Sequence, residues 1–190
     1  SPSNGTTYSA PLTLENGSGT LTIRAAAKDG ALALSCVAEA TAKLAYFINS
    51  LTALNSITAD ADCIVTADFD ASGYTGNIDN YSGTFDGGFH TISGLTRPLF
   101  NSVDGGTVKN VMLKEVSITS GTDVGAIAGS VAGDARIYNC GVLPTATERD
   151  ADGNITGFTG SSVSGSGYVG SLVGLLDGTA RVINCFSYAT

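Results

Sequence analysis

The chain has 190 residues, of which 43% are hydrophobic and only 14% charged, with 25 glycines and a formal net charge of −8. That apolar fraction is enough for a folded core and excludes a disordered segment, while glycine keeps no period of three, which excludes collagen. The acidic balance, unbroken by any Lys/Arg cluster, repels phosphate backbones and anionic lipid, and no run approaches the roughly 20 apolar residues that span a bilayer, so nucleic acid and membrane insertion are excluded.

Low charge with abundant Gly, Ser and Thr is the profile of an extracellular all-β protein. In chain order, residues 1–40 hold two alternating strand candidates, Gly19–Ala25 and Ala31–Val37, joined by the turn signal Lys28-Asp29-Gly30, which predicts a β-hairpin. The wording Tyr8-Ser-Ala-Pro-Leu-Thr-Leu14 ahead of Gly19-Thr-Leu-Thr-Ile-Arg-Ala25 resembles the later half of the small β-sandwich modules at the C-terminus of chitobiase-like proteins. The earlier strands of such a module are missing, so residues 1–40 read as a partial sandwich segment. The start at Ser1-Pro-Ser-Asn4 has neither the charged n-region nor the apolar h-region of a signal peptide, and is expected to follow a removed signal or to lie inside a longer protein.

From Thr41, a good N-cap residue, Leu44, Phe47, Ile48 and Leu51 recur at helical spacing and Leu54 extends the stripe, predicting an amphipathic helix over about 41–55. Such a helix would cap the open end of a strand stack, where backbone groups are otherwise unpaired. Cys63–Asp70 then reads as one strand, with Cys63, Val65, Ala67 and Phe69 on one face and Ile64, Thr66, Asp68 and Asp70 on the other. A polar loop to Asn80 follows, and then Tyr81-Ser-Gly-Thr-Phe-Asp-Gly-Gly-Phe-His-Thr-Ile-Ser-Gly-Leu95.

The most informative pattern is an internal repeat. Thr107-Val-Lys-Asn-Val-Met-Leu113, Ala135-Arg-Ile-Tyr-Asn-Cys-Gly-Val142 and Ala180-Arg-Val-Ile-Asn-Cys-Phe186 align with Asn110, Asn139 and Asn184 in register. The last two are preceded by Val124-Gly-Ala-Ile-Ala-Gly129 and Val169-Gly-Ser-Leu-Val-Gly174. So much glycine and so little helix former predicts stacked short strands and turns. Val108, Ile137 and Val182 before the asparagine should point inward, as should Val111, Cys140 and Cys185 after it, whereas Lys109, Tyr138 and Ile183 point out. For both flanks to face in, the asparagine must sit in a bend, and Asn tolerates the left-handed conformation this needs. Stacked asparagines can then hydrogen-bond from coil to coil.

The order of cap helix, Ala67-Asp-Phe-Asp70, Gly83-Thr-Phe-Asp-Gly-Gly-Phe-His-Thr-Ile92, Leu99-Phe100 and the two Val-Gly-x-[IL]-[AV]-Gly units resembles the GLUG-motif proteins, which are bacterial surface and secreted proteins. The resemblance covers about Thr41 to Thr190 and implies a right-handed parallel β-helix of the pectate-lyase type. The expected architecture is therefore all-β: a right-handed parallel β-helix over residues 41–190 with its capping helix, preceded by the partial sandwich or hairpin of residues 1–40.

The copies are unevenly spaced, which places an insertion at about 143–164, and Asp152-Gly153 with polar flanks predicts a projecting hairpin. The last copy stops partway at Thr190, and the natural protein is expected to continue; an uncapped final coil could self-associate edge to edge.

Candidate chemistry is sparse. Cys140 and Cys185 occupy a position filled by Val111 in the third copy, which favours free, inward-facing thiols; whether Cys36 and Cys63 pair is left open. His90 is the one histidine, in a turn-forming block, and reads as structural, its ring bonded to a backbone or carboxylate group. Asp68 and Asp70 are a geometrically permitted acid pair for glycoside hydrolysis or a cation, set against ordinary turn-capping carboxylates. Asp150, Asp152 and Asn154 begin like a calcium loop, but Ile155 stands where an EF-hand needs glycine and Ser161 where it needs glutamate, leaving a hairpin-supported calcium site as the alternative to a plain turn. Arg136 and Arg181 share a repeat position, as in a surface ladder.

No catalytic residues and no resident cofactor or metal emerge. The expected function is a non-catalytic, adhesin-like structural or recognition module at the bacterial cell surface or secreted, with glycans or host surface proteins as partners; Tyr138, with Tyr74 and Tyr81 in loops, could stack on sugars. The alternative is an accessory region of a secreted carbohydrate-active enzyme or protease, or a degenerate polysaccharide lyase.

Overall fold

The computed structural model describes residues 19–25, 38–119 and 121–190 and divides into two compact units, residues 1–45 and 46–190. In the first, Gly19–Ala25 pairs antiparallel with Ala38–Leu44, Gly19 opposite Leu44 and Ala25 opposite Ala38. The expected hairpin thus takes its partner strand further along the chain. Ala31–Val37, Lys28–Gly30 and Cys36, like most of the sandwich-like stretch, lie outside the described residues.

The helix expected over 41–55 is confined to one turn, Leu51–Leu54. Thr41–Leu44 belongs to the strand Ala38–Leu44, and Tyr46–Ile48 is a strand that pairs parallel with Cys63–Val65. Local spacing suits both forms, and long-range pairing decides: as a strand this segment buries Ile48 beside Val65, satisfies its backbone across the pair and leaves Phe47 and Ile64 outward. Ser50 in extended conformation caps the helical turn, its hydroxyl accepting the Ala53 N–H at 3.4 Å, and Leu54 is fully buried.

The second unit is nearly all-β. One sheet stacks Tyr46–Ile48, Cys63–Val65, Thr84–Asp86, Thr107–Lys109, Arg136–Tyr138 and Arg181–Ile183, every neighbouring pair parallel. A second stacks Phe69–Asp70, Thr91–Ser93, Met112–Lys114, Gly141–Leu143 and Phe186–Ser187, again parallel. A third holds Phe100–Asp104, Ala128–Ala132 and Val173–Leu176. The chain visits the sheets in turn, so a strand pairs with its counterpart one circuit later. The expected strand Cys63–Asp70 is accordingly two strands in two sheets, with Asp68 at the corner between them and Asp70 beyond it.

Alternation along each strand fills a shared interior. Phe85, Val108 and Ile137 from the first sheet, Ile92, Leu113 and Val142 from the second, and Phe100, Val103 and Val131 from the third are fully buried in one cluster. Each such side chain contributes about 1.5–3 kcal/mol by leaving water. The insertion is a hairpin, Ala146–Arg149 against Ile155–Thr159, antiparallel, with Gly153 at φ +84° in its turn.

Candidate functional site

Where the first sheet hands over to the second, Asn110, Asn139 and Asn184 have φ values of 55°, 55° and 52°, in the left-handed region. Asn184 Nδ2 donates to Asn139 Oδ1 at 2.8 Å, and Asn139 Nδ2 donates to Asn110 Oδ1 at 3.2 Å. The column continues one layer further than the aligned segments indicate: Asn110 Nδ2 donates to Asp86 Oδ1 at 2.9 Å. An acceptor-only carboxylate ends it, since Asp86 has no N–H to pass on. The bend turns the flanking residues inward in the first two copies, where Val108, Val111, Ile137 and Cys140 are fully buried; in the last copy, contrary to the expectation, Val182 is exposed and Cys185 only half-buried.

Beside this corner the outward positions also stack, Asp86 against Lys109 and Lys109 against Tyr138. Lys109 Nζ lies 3.1 Å from Asp86 Oδ2. Burial, the largest influence on Asp86, pushes its carboxyl up, but the Gly88 N–H, the Asn110 amide and Lys109 outweigh it and hold it below the usual value. Asp86 also raises Lys109.

His90 Nδ1 is 3.0 Å from Asp68 Oδ1, and the same oxygen accepts the Thr91 N–H at 2.9 Å. The Thr91 N–H and then the imidazole hold the Asp68 carboxyl low. Asp70 does not join them. It accepts from the N–H and hydroxyl of Ser72, closing its own turn. The two acids therefore cap neighbouring corners. Beside them Asp68, Phe69, Thr91, Ser93, Lys114 and Glu115 line an open, shallow hollow of about 390 Å³.

Cys63, Cys140 and Cys185 are free thiols. Cys63 is buried, which pushes its thiol up to about 12. Cys140 is fully buried and Cys185 half-buried, and the Cys140 N–H donates to Cys185 Sγ at 3.4 Å. The neighbouring Cys140 lowers the Cys185 thiol, and Cys185 together with burial raises that of Cys140.

The turn Asp150–Asn154 closes on itself. Asp150 accepts the N–H groups of Asp152 at 3.0 Å and Asn154 at 2.8 Å, and the Asn154 amide donates to its other oxygen at 3.0 Å. Asn154 thus presents a donor, not an oxygen, toward Asp150, and no cluster of three or more His, Cys, Asp or Glu among the described residues could hold a metal ion.

Two of the expected surface aromatics are core residues. Tyr81 is fully buried, stacks on Phe100 at 4.4 Å and donates its hydroxyl to Ala61 O at 2.7 Å; Tyr74 is 3% exposed and donates to Leu99 O at 2.8 Å. Each loop tyrosine finds a distant carbonyl acceptor that lets its hydroxyl be buried, which no local pattern announces. The exposed aromatics lie elsewhere. Phe158 of the inserted hairpin packs on Tyr188 at 4.3 Å, and Tyr188 meets Phe186 edge-on at 5.9 Å. Gly141, one layer below Phe186, is the visible trace of this cluster, because a Cβ there would lie 2.4 Å from the Phe186 ring.

Parallel layers, an amide column and capped corners make the class a parallel β repeat whose polar groups chiefly hold layers together. Residues 60–143 match the family described as the M26 IgA1-specific metallo-endopeptidase N-terminal region. The chain is 37% identical over 94 residues to an immunoglobulin A1 protease of Streptococcus sanguinis, covering 48% of the chain and 5% of that protein. It is 32% identical over 157 residues to halomucin of Haloquadratum walsbyi, covering 72% of the chain and 2% of halomucin. An immunoglobulin A1 protease of Streptococcus pneumoniae is 32% identical over 100 residues, 51% of the chain and 5% of that protein. The chain therefore spans a few per cent of the length of these relatives. No solved structure matches it. No described helix is long and apolar enough to cross a membrane.

Proposed function

We propose that residues 46–190 are a right-handed parallel β-helix of GLUG type that serves as a non-catalytic accessory region of a long secreted or surface-attached bacterial protein, in the manner of the N-terminal region of a secreted protease. The handedness follows the general rule for parallel crossovers. One observation carries the functional reading: the chain resembles pieces of an immunoglobulin A1 protease over 48% of its length and of halomucin over 72%, so the two matches overlap, and a part shared by proteins with different names supplies something other than a particular reaction. The matched family region is described as N-terminal, and Asp68, Asp70 and His90 are committed to corners. The test is to incubate the purified chain, with and without added zinc, with human immunoglobulin A1 and to separate the products by electrophoresis. Intact heavy chain is expected; cleavage overturns the accessory reading.

A second reading, glycan recognition, rests on the exposed Phe186 and Tyr188 beside Phe158, since aromatic faces stack on sugar rings. A glycan array should then show binding that the double variant Phe186→Ala/Tyr188→Ala loses. An array blank with the unaltered chain removes this reading and leaves the first untouched.

A further inference from the structure

We infer that Cys140 and Cys185 are a dithiol modification site: a low-molecular-weight disulfide converts them into a cystine that covalently ties one layer of the stack to the next.

The argument starts from register. Tyr138 lies opposite Ile183 and Gly141 opposite Phe186, so the intervening Cys140 and Cys185 face each other across a parallel pair. Neighbouring strands are about 4.8 Å apart, within the roughly 4.4–6.8 Å separation of Cα atoms that a cystine spans. Both side chains follow a left-handed asparagine, at Asn139 and Asn184, and so leave the corner in the same direction. The Cys140 N–H is already aimed at Cys185 Sγ at 3.4 Å, and Cys185 Sγ reaches down to Ile137 O of the Cys140 layer at 3.8 Å. Among the described cysteines Cys63 has no such partner thiol.

The two thiols differ in access and in acidity. Cys185 is half-buried and open to a small reagent, whereas Cys140 is fully buried. The Cys140 N–H donates to Cys185 Sγ, which favours the thiolate there. Cys185 is therefore the attacking sulfur and Cys140 the resolving one.

The chemistry balances. The Cys185 thiolate attacks one sulfur of the reagent disulfide; the reagent S–S bond breaks, and the departing thiolate takes up the proton that Cys185 released. Cys140 then gives up its proton and attacks Cys185 Sγ in the mixed disulfide, expelling the second reagent thiol. Two protein thiols are oxidised and one reagent disulfide is reduced to two thiols. The product closes a loop from Cys140 to Cys185 that contains the whole inserted hairpin, so the two layers can no longer separate.

The test uses the full chain and glutathione disulfide. The reduced protein is incubated with the reagent at neutral pH, quenched with an alkylating agent and digested with trypsin, which releases Ile137–Arg149 and Val182–Thr190. The expected result is a cross-linked pair of these two peptides, lost on reduction, together with a higher melting temperature that reductant reverses. Cys140→Ser should stop the reaction at a glutathione adduct on Cys185. Cys185→Ser should leave Cys140 at least about tenfold slower to react than Cys185 is in the unaltered chain. The inference is overturned if the folded chain gives no such cross-link, if Cys140 or Cys185 links instead to Cys36 or Cys63, or if the 140–185 link forms as readily in urea as in the folded state.

Discussion

Asn139 donates a side-chain N–H to Asn110 Oδ1 at 3.2 Å while both residues hold a φ of 55°. The same residue type thus serves two ends, the left-handed bend and the hydrogen bond between layers. These can be separated. Asn139→Gly keeps the bend and removes two amide hydrogen bonds, and is expected to cost about 1–2 kcal/mol. Asn139→Ala removes the bonds and also keeps a Cβ in the left-handed region without the short polar side chain that lets Asn tolerate it, adding about 1–2 kcal/mol over the glycine variant. Urea unfolding of both variants checks this; equal losses would mean that the backbone conformation contributes nothing.

Tyr81 tests the interior. Its ring stacks on Phe100, which meets Phe85 edge-on at 5.5 Å, and its hydroxyl satisfies Ala61 O. Tyr81→Phe keeps the rings but leaves the buried Ala61 O with only the weak Cys63 thiol donor at 3.9 Å, for an expected loss of about 1–3 kcal/mol. Tyr81→Ala also empties the space and should cost about 3–5 kcal/mol. Denaturation midpoints would show the order, and a neutral Tyr81→Phe would refute the role given to the hydroxyl.

Acid should loosen the corner. Asp86 is lower in the folded chain than when unfolded, so its contribution is present above about pH 3.9 and is lost as pH falls through its folded value. Lys109 is raised from 10.5, so its share is present below that value and is lost only as pH rises through its higher folded value. The pair adds no slope between about pH 5 and 9. The urea midpoint should drop below about pH 4, with Asp68 and Asp150, which are also held low, adding to the drop. Asp86→Asn should make the acid limb shallower; an unchanged limb would rule Asp86 out as a source.

Gly129 lies opposite Gly174 in the third sheet, between the pairs Ala128–Val173 and Ser130–Leu175. A Cβ on Gly129 would lie 2.5 Å from Asp123 O and 2.7 Å from Asn101 O, both backbone atoms that cannot swing aside. Gly129→Ala is expected to lose at least about 1–3 kcal/mol, the scale of overpacking. Gly153→Ala, where a Cβ has open space around it, serves as the comparison, and its cost should be confined to the φ of +84°. Thermal melts of the two distinguish crowding from conformation.

These residues also show what the sequence made legible. Three alignable copies carry a visible signal for a left-handed asparagine, and the backbone adopts it at all three. Asp152-Gly153 marks the inserted hairpin because its turn chemistry is local. The extension of the amide column to Asp86 was hidden because a carboxylate there does not look like a fourth asparagine. Tyr46–Ile48 was hidden because apolar spacing fits either a helix or a strand, and its partner strand, Cys63–Val65, lies well along the chain. The burial of Tyr74 and Tyr81 depends on carbonyls 25 and 20 residues away, which no window of local sequence contains.

The amide column has an implication for growth. Each asparagine asks only for an acceptor on one side, which another asparagine supplies as readily as Asp86 does, so the corner carries no count of how many floors the building has. Duplicating or deleting a whole circuit preserves every local requirement, whereas adding part of one breaks the alignment of all that follows. A polypeptide organised this way can be lengthened or shortened in discrete steps, and surplus chain is accommodated by budding outward between floors, as the hairpin after Leu143 does.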